Sequence, residues 1–214
     1  TYQINKSIAF FEIAKIKKFG DIADSIKNIQ KAINLRGHFP PYVMLYIEIL
    51  IQEKKYNLAK KYLKKAWNEN PHSDYKSSII QLANKLNIEV YEFANIIIGS
   101  KRSLEESKLM LVEASIISKK WEEARKQIKG LIDVNPKKEV CLLMAKIEEG
   151  DTGNIQVVNA WKNRAKNGAE NNIWICSITN QAQNEWSSIS VGGYFNSLVW
   201  QKPIVINPLK SIDN

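Results

Sequence analysis

Lys54-Lys55-Tyr56-x2-Ala59-x3-Leu63-x2-Ala66-x4-Pro71 and Lys119-Lys120-Trp121-x2-Ala124-x3-Ile128-x2-Leu131-x4-Pro136 follow one template. An earlier copy reads Gly20-Asp21-Ile22-x2-Ser25-x3-Ile29-x2-Ala32-x4-Gly37, so that Ala32 and Ala66 hold the same place in consecutive copies. Small side chains recur at Ser25, Ala59 and Ala124, and again at Ala32 and Ala66, where they let helix backbones approach closely. Large ones at Ile29, Leu63 and Ile128 fill the space between repeats. Pro71 and Pro136 are placed to end the second helix of their units, because proline lacks the amide that a continuing helix needs. A unit of this kind cannot bury its apolar face alone; stacking on its neighbours does so.

The pattern and its period, about 34 residues from Ala32 to Ala66, resemble the tetratricopeptide repeat, in which two helices pack through small residues at fixed points. The resemblance implies an all-α fold, a right-handed α-solenoid over residues 1–172, with units at about 6–39, 40–73, 105–138 and 139–172. The last unit is looser, with Cys141, Leu142 and Ala145 on its first helix and Ile155, Val158, Trp161 and Ala165 on its second. Residues 74–104 are about one unit long but lack the small-residue signature, and read as a degenerate helical pair. On the first helices the buried positions fall at Ile13 and Ile16, Ile47 and Leu50, and Leu111 and Val112. A concave face built from those helices would carry Phe10, Ala14 and Lys17, then Met44, Glu48 and Ile51, then Leu109, Glu113 and Ile116. Chaperone-binding versions of the repeat grip a terminal carboxylate with Lys and Asn there. Apolar residues and Glu at those places instead suit another helix, either a partner's or the chain's own.

Of 214 residues, 44% are hydrophobic, enough to fill a core. The apolar runs, Ile96 to Ile98 among them, fall far short of the roughly 20 residues that span a bilayer. The net charge of +9 invites a nucleic-acid reading, but 27 of the 31 basic residues are Lys and only Arg36, Arg102, Arg125 and Arg164 are Arg. Arg is the side chain suited to bidentate phosphate and base-edge recognition. With 30 Ile and 21 Asn in the same chain, the Lys excess follows A+T-rich codons. Spread as it is in pairs along the chain, it reads as a solvated helix face. Glu122-Glu123 and Glu148-Glu149 are read in the same way, as solvated helix charges.

From Ile173 the pattern changes. Trp174-x-Cys176-x2-Thr179-Asn180 and Trp186-x2-Ile189-x2-Gly192-Gly193-Tyr194-Phe195-x-Ser197-Leu198-Val199-Trp200-x2-Pro203 mix aromatics, turn residues and short apolar runs, which argues for β-hairpins. The spacing matches a two-knuckle zinc ribbon, in which four thiolates at C-x2-C…C-x2-C hold a tetrahedral metal.

Repeats followed by such a ribbon resemble the C-terminal half of the HemY-type proteins, bacterial membrane-anchored proteins associated with protoheme IX biogenesis. Lys119-Lys120-Trp121-Glu122-Glu123-Ala124-Arg125 and Cys141 to Asp151 are similar to that family too, so the likeness runs from about Leu104 to Pro203. Carried over, the four metal-ligand places fall on Cys176, Thr179, Ile189 and Gly192, of which only Cys176 is a good ligand. His38 and His72 lie far off in sequence. The resemblance therefore implies a degenerate, metal-free ribbon over 173–203, retaining an aromatic frame of Trp174, Trp186, Phe195 and Trp200, followed by a tail at 204–214. It also implies an N-terminal membrane anchor upstream of Thr1 and a soluble domain facing the cytoplasm at the inner membrane.

No G-x-G-x-x-G, Walker-type loop or G-x-S-x-G elbow occurs, and two His in loop-like places are a thin basis for acid–base chemistry. The expectation is a non-enzymatic protein-interaction scaffold with no catalytic residue, cofactor or metal. Two alternatives stay open. One is a haem- or porphyrin-binding protein using Cys176, Cys141, His38 or His72; the other is a Lys-driven module for RNA or another acidic partner.

Overall fold

The structure is a computed structural model that describes residues 2–133 and 135–203. The expected tail at 204–214 lies outside the described residues. The chain is mostly helical, with a small three-stranded antiparallel sheet near its C-terminus. It divides into two compact units, 1–168 and 169–214.

The first unit holds α1 (Tyr2–Lys17), α2 (Ile22–Arg36), α3 (Pro40–Gln52), α4 (Tyr56–Glu69), α5 (Lys76–Leu86), α6 (Val90–Ile98), α7 (Glu105–Ile117), α8 (Trp121–Lys129), α9 (Lys138–Asp151) and α10 (Ile155–Lys166). Each helix packs on the next in the chain, and α3 also meets α5, α4 meets α6 and α7 meets α9. Local chemistry sets the helix starts. Asp21 accepts the Asp24 amide at 3.0 Å, Pro40 opens α3, and Asn154 accepts the amides of Gln156 and Val157.

One turn recurs. At the end of α3, Lys54 takes a left-handed φ of 56° while the Lys54 amide donates to the Ile51 carbonyl and the Lys55 amide to that of Leu50. Asn87 (φ 54°) and Lys119 (φ 55°) repeat this at the ends of α5 and α7, with Ile88 donating to Ala83 and Lys120 to Ser115. The left-handed residue satisfies the last carbonyls of one helix and reverses the chain into the next. The three turns are almost evenly spaced along the chain, close to one repeat period apart.

The small and large template positions are buried: Ser25, Ala32, Ala59, Ala66 and Ala124, with Ile29, Leu63 and Ile128. The Ser25 hydroxyl donates to the Ala14 carbonyl at 2.7 Å, a contact that a larger side chain would block. Residues 74–104 form α5 and α6 by a different order. After Lys54, α4 buries Ala59, Leu63, Ala66 and Trp67; after Asn87, α6 buries Val90, Phe93, Ala94, Ile97 and Ile98. The steps from Ala59 to Trp67 recur from Val90 to Ile98, two places closer to the turn, and α6 adds a fully buried Phe93 where α4 has the half-buried Tyr62. Small-large-small has become large-small-large.

Three expectations are corrected. Ile13 and Ile16 are exposed, whereas Ser7, Ile8, Phe11 and Ala14 form the buried face of α1. The Ser25 bond to Ala14 and the Ser7–Tyr42 hydroxyl contact at 2.9 Å fix that face, and Ile13 and Ile16 lie on the opposite side of the helix. Ile47, Leu50, Leu111 and Val112 are buried as expected. Pro136 does not end α8, which stops at Lys129 with Gly130, a poor helix former, as its cap. Pro71, by contrast, stands two residues after the end of α4. Glu148 is no solvated charge: it is buried and paired with Arg125, whose guanidinium also reaches Asp151 at 2.9 Å. This clamp ties α8 to α9, and Gly150 leaves room for the Trp121 ring, which a Cβ there would meet at 2.3 Å.

The second unit holds β1 (Ile173–Cys176), β2 (Ala182–Gln183) and β3 (Leu198–Gln201), antiparallel in the order β2-β1-β3. Trp174 lies opposite Trp200 with ring centroids 5.1 Å apart. Trp174 and Trp186 are buried and Trp200 is half-buried, but Phe195 is exposed and drops out of the expected aromatic frame. Its backbone pairs with Ile189 in an isolated bridge, which turns its side chain outward.

Candidate functional site

Three helices that alternate along the chain, α5, α7 and α9, line one cleft. Lys76 opens α5. Glu113, Ile116 and Ile117 share a face of the last turns of α7, since side chains three and four residues apart project together. Leu143 and Lys146 do the same on α9. The Lys76 ammonium pairs with Glu113, joining α5 to α7 across the cleft. The floor is core: Leu143 packs in a buried cluster with Leu109, Val112, Ala124, Ile128, Val140, Met144 and Ile147, against which Ile116 is half-buried.

The cleft has room for about 60 Å³ and is open to solvent. Small-molecule and cofactor sites run to roughly 300–1,000 Å³ and bury most of their ligand, so this one is a shallow surface depression with the volume of about one side chain. An apolar strip of Ile116, Ile117 and Leu143 lies between a paired cation, Lys76, and Lys146, which has no ion-pair partner among the described residues. Chemically, such a surface is complementary to an apolar group next to an acidic one.

Of the nine residues expected on a concave face, the structure brings Glu113 and Ile116 into this cleft. Ala14, Ile51 and Leu109 are buried in the core and present no surface. Phe10 is half-buried beneath the Lys31 ammonium, 5.0 Å from its ring centre. Lys17 reaches Asp24 at 3.9 Å, Glu48 accepts Lys18 at 2.6 Å, and Met44 is half-buried. Lys76, Ile117, Leu143 and Lys146 were missed. The repeat carried a signal for one of them, because Leu143 stands one full period after Leu109.

The four ribbon places form two turns. In the first, the Asn180 amide donates to the Cys176 carbonyl at 2.8 Å, and Asn180 is left-handed at φ 58°. In the second, the Gly193 amide donates to Ser190 at 2.8 Å, with Gly193 at φ 83°. Gly192 and Thr179 face each other, since a Cβ on Gly192 would lie 3.3 Å from Thr179 Cγ2. Ile189 is exposed. Cys176 Sγ sits 3.3 Å from Ser197 Oγ, and the Ser197 oxygen lies 3.1 Å from the Tyr194 carbonyl. The thiol donates to Ser197, whose hydroxyl donates on to the Tyr194 carbonyl. Hydrogen bonding with Ser197 first, then with Thr179 and the amides of the first turn, draws the Cys176 thiol down to about 6. Hydroxyls and amides of this chain thus occupy the sulfur's surroundings.

The other candidate ligands are engaged too. Cys141 is buried, which raises its thiol pKa. His72 Nδ1 accepts the Asp74 amide at 3.2 Å, and burial lowers its pKa against the opposing pull of Asp74. His38 Nδ1 lies against the Glu69 carboxylate. None of these side chains lines the cleft. Among the described residues no group of three or more His, Cys, Asp or Glu is placed to hold a metal, and no helix is long and apolar enough to cross a membrane. No protein-family model and no curated protein matches the chain.

Proposed function

We propose that the chain is a non-enzymatic protein-interaction scaffold, a tetratricopeptide-type α-solenoid followed by a metal-free ribbon. The recurring turns at Lys54, Asn87 and Lys119 support the solenoid reading, as does the packing of each helix on the next, with α3 on α5, α4 on α6 and α7 on α9 besides. The observation that carries the function is the cleft on α5, α7 and α9, the alternate helices from which such arrays build a concave face. It accepts an apolar side chain onto Ile116, Ile117 and Leu143 and a carboxylate onto Lys146. The resemblance to HemY-type proteins adds a place of work: the inner membrane, on the cytoplasmic side, in association with haem synthesis. The test is affinity capture with the chain, then titration of the recovered protein against Ile117→Glu combined with Lys146→Glu. Both changes are at the surface, and binding should weaken by about tenfold or more. A partner that binds the substituted chain as tightly as the original would overturn the proposal.

A further inference from the structure

Helix α1 is apolar on two opposite faces. Ser7, Ile8, Phe11 and Ala14 are buried against the rest of the first unit. On the other side, Tyr2, Ala9, Ile13 and Ile16 form a stripe at helical intervals, continued by Phe19 in the turn beyond. This stripe holds the most exposed large apolar side chain of the described residues, Phe19 at 82%, with Ile16 at 73% and Tyr2 at 75% close behind. Exposed apolar residues in a row, unlike scattered ones, mark a surface that meets something.

The charges beside it say what. Lys6 and Lys17 flank the stripe on its own face, Lys17 with a 3.9 Å contact to Asp24, while Lys18, over the Phe19 ring at 4.9 Å, is held by Glu48 at 2.6 Å. Lys6 and Lys27 have no ion-pair partner among the described residues. Glu12, the only acidic residue of α1, is already paired with Lys15 at 3.8 Å. Through Arg36 the chain carries seven basic residues against Glu12, Asp21 and Asp24. The surface is a convex ridge, 16 helical residues long, with an aromatic ring near each end. A convex apolar ridge needs either a matching groove or a fluid medium, and a self-pairing copy would set Lys against Lys. A bilayer interface accepts a ridge of any detail: apolar side chains sink to the acyl boundary, aromatic rings sit at headgroup level, and Lys stems reach the phosphates.

We infer that the outer face of α1 lies on an anionic membrane surface, with Ile13, Ile16 and Phe19 entering the interface and Lys6 and Lys17 contacting lipid phosphate. This contact is peripheral, separate from the cleft, and requires no membrane-spanning segment. Its electrostatic half attracts the chain, and its apolar half sets the orientation.

Flotation of the full chain with vesicles of phosphatidylcholine alone, or mixed three to one with phosphatidylglycerol, tests it. Binding is expected to the anionic vesicles only and should fall as salt rises. Ile16→Glu with Phe19→Glu should cut the bound fraction about tenfold or more, because both apolar side chains are lost from the interface. Lys126→Glu with Lys129→Glu on α8 lowers the net charge by at least as much and should change binding far less. Circular dichroism checks that the variants keep their helices. The inference is overturned if neither vesicle binds, or if the two Glu pairs reduce binding equally, which would leave only the net charge. Sedimentation equilibrium that shows a dimer abolished by Ile16→Glu and Phe19→Glu would also overturn it, in favour of a second copy on this face.

Discussion

After Lys54 the chain buries Ala59, Leu63 and Ala66; after Asn87, where the backbone turns in the same left-handed way, it buries Val90, Ala94 and Ile97, with Phe93 beside them. Both turns close by a bond back into the helix before them, and the two helices that follow, α4 and α6, pack on each other. What differs is the order of side-chain volumes. Helices in contact interdigitate when large residues of one meet small residues of the other, so a neighbour with the opposite order packs as well as a copy would. The repeat survives in the backbone turn and in the alternation, while the letters that advertise it are inverted.

Substitutions at corresponding places should separate the two helices most sharply. Leu63→Ala should cost about 2–5 kcal/mol, because it empties a fully buried site. Ala94→Leu, which gives α6 the residue α4 carries at the matching place, should cost about 1–3 kcal/mol by overpacking. Urea unfolding measures both. Were the helices interchangeable, Ala94→Leu would be neutral or stabilising.

A smaller effect is expected where the next pair begins. Burial first, then the neighbouring Glu139 and Glu105, push the Glu106 carboxyl up to about 7 from an ordinary 4.5. A carboxyl raised on folding adds stability below its unfolded value, and that stability is lost as pH rises through its folded value. Glu106→Gln should therefore match the original chain near pH 4 and exceed it by about 1 kcal/mol at pH 8. A variant less stable at both pH values would show that Glu106 is paired rather than strained.

The least effect should come from the turns themselves. Lys54→Gly should gain up to about 1 kcal/mol, because glycine takes a left-handed φ without a Cβ clash. Asn87→Gly should gain only a few tenths of that scale, since Asn already tolerates the conformation. Destabilisation by either change would mean that these side chains hold the turn through contacts of their own.

The same contrast explains what could be read from the residues. Ala59, Leu63, Ala66, Ala124 and Ile128 announced themselves because small and large types recur at fixed spacing and burial follows type. Lys54, Asn87 and Lys119 gave little notice, since a left-handed turn on a Lys has no compositional mark. Ile13 and Ile16 misled because α1 has two apolar faces, and the long-range contacts of Ser25 with Ala14 and of Ser7 with Tyr42 decide between them. Glu148 looked like a surface charge because its partner Arg125 lies far off in sequence, on another helix. At the cleft, Glu113 and Ile116 were legible from the first-helix register. Lys76 was hidden in the inverted pair and Lys146 in a looser copy, while Leu143 was marked only by its distance of one period from Leu109.

The most direct measurement is photo-crosslinking in the native cell, with a photoreactive residue at Ile117 in the cleft and, for contrast, at exposed Leu58 on α4. A scaffold that works through α5, α7 and α9 predicts discrete protein adducts at Ile117, absent at Leu58 and diminished by Lys146→Glu. Equal labelling at the two positions, or no protein adduct at Ile117, would contradict it.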